Sequence, residues 1–171
     1  MDVDKLKAWA EAGDAEVMYN LGLAYRTGRE VDKDPAEAHR LFERAATAGY
    51  AEAMYTVAED YYTGTGVAVD YAAAVKWLKE SITKWQDVPS MQLFLDMCQA
   101  GQGMAANDAT ALEFLAAKLD KCPQNIYEEH PLKRIMIFGT YSEDMFSPAH
   151  EDITEYRRLA CQVKRILERK G

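Results

Sequence analysis

The chain has 171 residues, 49% apolar and 28% charged, so it can bury a core without disulfides or metal. Its formal net charge of −8 disfavours a phosphate-bearing partner. Met1-Asp2-Val3-Asp4-Lys5 lacks a cationic start followed by an apolar run, and no stretch approaches membrane-spanning length. The expectation is a cytoplasmic protein that binds neither nucleic acid nor membrane. Cys98, Cys122 and Cys161 match no zinc or CxxC spacing and suit free thiols in a reducing compartment. Residues 1–150 hold fourteen Lys and Arg against twenty-four Asp and Glu, whereas residues 151–171 hold six against four.

Three successive segments repeat one spacing. At a period of 36 residues, Gly13 recurs as Gly49, Met18-Tyr19 as Met54-Tyr55, Tyr25 as Tyr61, Gly28 as Gly64, and Asp34 as Asp70. At a period of 37, Met54 maps to Met91, Gly64 and Gly66 to Gly101 and Gly103, Asp70 to Asn107, and Trp77-Leu78 to Phe114-Leu115. Each copy is predicted to form a helix pair. The first helix of copy one sets Val17, Leu21 and Tyr25 on one face, with Met18 beside them, and stops near Gly28. The second opens at Asp34-Pro35, a capping residue followed by the residue suited to the first helical position. Glu37 completes a capping-box-like pattern. Asp70 and Asn107 are the equivalent caps. Gly22, Ala38, Ala45 and Ala58 leave room for close helix approach, while Tyr25, Leu41 and Phe42 fill the space between pairs. One pair cannot bury its apolar face alone, so the pairs must stack.

The string Ala15, Met18, Leu21, Gly22, Tyr25, Gly28, Val31, Asp34, Ala38, Ala45, Ala46 and Gly49 resembles the Sel-one-like repeat (SLR) family, a relative of the tetratricopeptide repeats. The resemblance covers residues 10–119. It implies an all-α fold, an α-α superhelix in which about three antiparallel helix pairs stack into a right-handed solenoid. Residues 1–121 are read as the repeats, with units near 13–48, 49–85 and 86–121. Residues 122–171 are read as a degenerate fourth helix pair that caps the C-terminal end. The family's Gly-x-Gly loop is Gly64-Thr65-Gly66 in copy two. Copy one has Gly28-Arg29-Glu30, which points to a different loop geometry there.

Within the C-terminal segment, Pro123 and Pro131 break the register. A helix is expected from near Pro131 through Phe138, then a loop over Gly139–Ser147, then a long last helix opened by Ser147-Pro148. Its apolar stripe is Ile153, Tyr156, Ala160, Val163 and Leu167, with Leu159 and Ile166 alongside. Its acidic start and basic end suit the helix dipole. Capping of the stack is preferred for it over membrane contact or dimerisation.

No catalytic constellation emerges. His39, His130 and His150 are far apart and pair with no ligand at metal spacing. Each is expected to be exposed or at the core edge. Gly64-Thr65-Gly66 and Gly101-Gln102-Gly103 match one another as repeat loops, not as a phosphate cradle. Glu59-Asp60 and Glu128-Glu129 are helix neighbours that diverge, and both pairs read as solvated. The chain is therefore read as a non-enzyme with no cofactor and no metal.

The resemblance also implies a binding face, because related arrays use the concave surface lined by their first helices. In that geometry the lining positions are Glu16, Tyr19, Leu23, Arg26 and Thr27 in copy one. They are Glu52, Tyr55, Glu59, Tyr62 and Thr63 in copy two, and Gln92, Asp96 and Gln99 in copy three. Tyr19 and Tyr55 fit repeat packing equally well. An acidic, tyrosine-bearing surface suits a partner protein with a basic surface. The expected function is a protein–protein interaction module. Its sharper form is an immunity protein neutralising a bacterial toxin, and its broader form is a general cytoplasmic scaffold or adaptor. A β-lactam-binding or hydrolysing enzyme, suggested by cysteine-rich relatives, ranks lower because regular paired cysteines and a secretion signal are missing.

Overall fold

The computed structural model of the chain describes residues 3–120 and 147–169. Every regular element among the described residues is an α-helix. In chain order these are α1 (Val3–Glu11), α2 (Ala15–Thr27), α3 (Pro35–Thr47), α4 (Ala51–Thr63), α5 (Tyr71–Lys84), α6 (Val88–Ala100), α7 (Ala109–Leu119) and α8 (Ser147–Glu168). They form two compact units, Met1–Asp108 and Ala109–Gly171. That boundary falls between α6 and α7, the two helices of the third copy.

The helix starts follow the capping chemistry of the sequence. The Asp34 carboxylate accepts hydrogen bonds from the amides of Ala36 and Glu37, both at 3.0 Å. Asp70 repeats this with Ala72 at 2.9 Å and Ala73 at 3.0 Å. Asp14 and Asp87 cap α2 and α6 through the amides of Val17 and Ser90. Each such bond satisfies an amide that has no partner inside its helix. Glu37 does not close a capping box, because both its oxygens bind the Arg40 guanidinium, at 2.7 and 2.9 Å.

Asn107 differs from the equivalent cap it was expected to be. Its amide donates to the Cys98 carbonyl, as those of Asp34 and Asp70 donate to Tyr25 and Tyr61. Yet its φ is +54°, where Asp34 and Asp70 have −139° and −141°, and α7 begins only at Ala109. The backbone register is kept, while the left-handed turn at Asn107 delays the helix by one residue.

α2, α4 and α6 all end on a left-handed glycine, Gly28, Gly64 and Gly101. Two residues later the loops of copies two and three press on the preceding pair. A Cβ on Gly66 would lie 2.0 Å from the Pro35 carbonyl oxygen, and one on Gly103 would lie 2.5 Å from that of Tyr71. No side chain fits either place. The expectation of a different loop in copy one is overturned. Glu30 adopts a φ of +64°, against +77° and +73° for Gly66 and Gly103, so a glutamate takes the glycine conformation.

Packing in the first unit runs in series: α1 on α2, α2 on α3, α3 on α4, α4 on α5, and α5 on α6. Ala38, Ala45, Ala46, Ala53, Ala58 and Ala74 are fully buried, as small residues at helix crossings should be. Phe42, Met54, Leu78, Ile82, Met91 and Phe94 fill the gaps between them. Gly22 of α2 faces the Phe42 ring so closely that an added Cβ would meet it at 2.6 Å. α1 precedes the first repeat as a separate helix. Leu6 and Ala10 lie 36 residues before Phe42 and Ala46 and are buried like them. α1 thus stands in the register of a second helix, and the Arg44 guanidinium donates to its Ala10 carbonyl at 3.1 Å.

In the second unit α8 packs on α7. The buried line on α8 is Tyr156, Leu159 and Val163, with Ala160, Ile166 and Leu167 half-buried. The stripe therefore centres on Leu159 and not on Ala160. The Tyr156 hydroxyl donates to the Lys118 carbonyl near the end of α7, at 2.8 Å. The expected helix from Pro131 and the loop before Ser147 lie outside the described residues, as do the side chains of His130, His150 and Ile153.

Candidate interaction surface

Charge is sorted by helix type in the first unit. The first helices α2, α4 and α6 carry Glu16, Glu52, Glu59, Asp60 and Asp96, with Arg26 as their one cation. The second helices α3 and α5 carry Arg40, Arg44, Lys76, Lys79 and Lys84 against Glu37, Glu43 and Glu80.

Arg26 does not offset the acidity of its face. Its guanidinium donates to Asp60 of α4 and lies 4.4 Å from the centre of the Phe42 ring. Asp60, only 1% exposed, also meets His39 Nδ1 at 3.0 Å. The His39 ring stands edge-on to Tyr61, with 4.9 Å between centres. Three residues expected on the surface or its edge are thereby drawn together between copies one and two. Asp60 is not a solvated neighbour of Glu59, and His39 is buried, not exposed. The available signal was register. Asp60 lies at the position held by Ala24 and Met97, and His39 at that held by Val75. All three mates are apolar, and Met97 and Val75 are buried.

The tyrosines divide between packing and exposure. Tyr19 packs against Phe42 and Tyr50, with ring centres 5.3 and 5.2 Å apart. Tyr55 and Tyr62 are half-buried on α4, and Tyr62 lies 5.9 Å from the Tyr71 ring. Burial raises the Tyr55 phenol above its ordinary range, helped by the charges of Glu59 and Asp87 and a hydrogen bond with Glu59. Burial, then the charges of Glu52 and Glu16, does the same for Tyr50. These carboxylates from neighbouring copies thus act on shared tyrosines. Glu16, Glu52, Asp96 and Gln99 are exposed, Glu59 and Gln92 are half-buried, and Gln92 donates to Asp96 at 2.8 Å. Leu23 is half-buried, and Thr27 and Thr63 are exposed.

Among the described residues this surface presents carboxylate acceptors and phenols. Among the described residues no group of three His, Cys, Asp or Glu could hold a metal ion. Among them, too, no helix is long and apolar enough to cross a membrane.

A family model described as Sel1 repeat matches residues 15–50 and 51–84. The crystal structure of a protective antigen present in uropathogenic Escherichia coli strains, displaying an SLR fold, is 35% identical and has a TM-score of 0.61. The match covers 69% of this chain, which spans only 26% of the antigen's length. The crystal structure of a Sel1 repeat protein from Oxalobacter formigenes is 21% identical over 80% of this chain and 98% of its own, with a TM-score of 0.58, and shares the fold. No curated protein matches the chain. The all-helical architecture of the described residues and these neighbours agree on an α-α superhelix of repeats.

Proposed function

We propose that this chain, whose residues 15–50 and 51–84 match the Sel1 repeat, binds a basic segment of a partner protein on the exposed face of α2, α4 and α6. Sel1-repeat proteins are generally protein-interaction modules. The observation that carries the finer reading is charge sorting. α4 and α6 contain no Lys or Arg, and the single cation of α2 is engaged by Asp60. Carboxylates left without local cations select and orient Lys and Arg side chains on a partner. Half-buried tyrosines add contact area at low entropic cost. In its sharper form the partner is a basic bacterial toxin domain and the chain is its immunity protein. A cytoplasmic scaffold role would use the same face.

The test uses a labelled Lys/Arg-rich peptide and the full chain. Binding should weaken at least tenfold in E16K/E52K/E59K/D96K and survive in K76E, a charge reversal at an exposed position of α5. Equal affinity in both variants would remove this face from consideration. Co-expression with a toxin encoded next to the gene separates the two forms, since only an immunity protein restores growth.

A further inference from the structure

α8 carries the opposite charge pattern to the first helices of the first unit. Its apolar side, Tyr156, Leu159 and Val163, is turned to α7. The far side is exposed and holds Arg157, Arg158, Lys164, Arg165 and Arg169, with Glu168 among them and Glu155 at its edge. None of these cations takes part in an ion pair among the described residues.

Each copy carries −8, so a second copy, like a phosphate polymer or an anionic membrane, is repelled at long range, and only a surface whose carboxylates meet these cations locally holds it. An acidic protein surface is the better match, and one is present on every copy of this chain.

We propose that the exposed basic side of α8 docks on the acidic face of α2, α4 and α6 of a second copy, so that the chain self-associates through two different surfaces. The inference rests on the acidic face proposed above as a binding surface. A contact between unlike surfaces closes when it is reciprocal and otherwise extends with concentration. The same face then receives either a partner or another copy, and a basic partner displaces self-association by competition.

The test is sedimentation or light scattering of the full chain. At low salt the average mass should rise with concentration towards at least twice the monomer's. It should return to the monomer's at about 0.5 M salt, where the Debye length shrinks to a few ångströms. R157E/R158E/K164E/R165E and E16K/E52K/E59K/D96K should each be monomeric at both salt levels, with helical circular dichroism unchanged. Mixed together, the two variants should form a one-to-one pair, because each retains the surface the other has lost. A wild-type chain that stays monomeric at low salt, or an α8 variant that still associates, overturns the inference. The labelled basic peptide separates the two readings, since the α8 variant must still bind it if the acidic face is a binding surface.

Discussion

The junction between copies one and two and the junction between copies two and three place different chemistry at the same positions. The first brings together Arg26, His39 and Asp60, an ion-paired cluster around a carboxylate that is 1% exposed. One period later the same places hold Tyr62, Val75 and Met97. Val75 and Met97 are buried, and Tyr62 is half-buried beside Tyr71. Helices pack at both junctions, α3 on α4 and α5 on α6, so the packing does not require the charges. A buried ion pair offsets its own desolvation only while every member is present, whereas an apolar contact carries no such condition. The first junction is therefore the more vulnerable to single substitutions, and its cluster has a second effect. It engages the one cation of the first helices and keeps their face acidic.

The largest expected effect tests that vulnerability. Asp60→Ala leaves Arg26 beside the core without its counter-charge and should destabilise the chain by about 3–5 kcal/mol in urea unfolding. The triple replacement R26Y/H39V/D60M writes the second junction into the first and should fall within about 1 kcal/mol of wild type, or above it. A triple variant as unstable as Asp60→Ala would mean that the junctions are not interchangeable.

The loops give a second contrast. Gly66→Ala meets both a left-handed backbone and the Pro35 carbonyl, so it should cost more than the roughly 1–2 kcal/mol of the backbone term alone. Glu30→Gly relieves that backbone term in copy one and should gain up to about 1 kcal/mol. Thermal melts of the two variants should move in opposite directions. Smaller still are the caps, which are alike in both copies. Asp34→Ala and Asp70→Ala should each cost about 1 kcal/mol, and unequal costs would show that the two pairs differ in local stability.

The smallest effect concerns tyrosine ionisation. Tyr50, Tyr55 and Tyr61 are all raised above the ordinary phenol range, each chiefly by burial. Folded phenols that hold their protons more tightly than unfolded ones stabilise the chain fully below pH of about 10, and this contribution is lost as pH rises beyond it. Ultraviolet titration should show late-ionising tyrosines, and stability should fall on the alkaline side. Tyr55→Phe should shrink that fall, and an unchanged alkaline limb would exclude this residue as a source.

Much of the architecture was legible because it is local. Helix starts at Asp34 and Asp70, stops at Gly28 and Gly64, and the 36-residue spacing of Met18, Tyr25 and Ala38 each depend on residues a turn or a period apart. Side-chain partners were less legible. Glu37 lies where a capping box would use it, yet Arg40 is within reach and binds both its oxygens. The repeat spacing of Tyr19 fits lining and packing alike, and ring contacts with Phe42 and Tyr50 show it to be packed.

The sequence by itself determined that helix pairs form, where most of them begin and end, and that their first helices are acidic. Periodicity, caps and charge are written in the order of the residues. Only the tertiary structure decided that Asp60 is enclosed by Arg26 and His39, that Glu30 imitates a glycine, and that Leu159 centres the buried side of α8. Each of these depends on which surface of another element lies against the residue, and burial makes the energetics of a charge or a backbone angle depend on that neighbour.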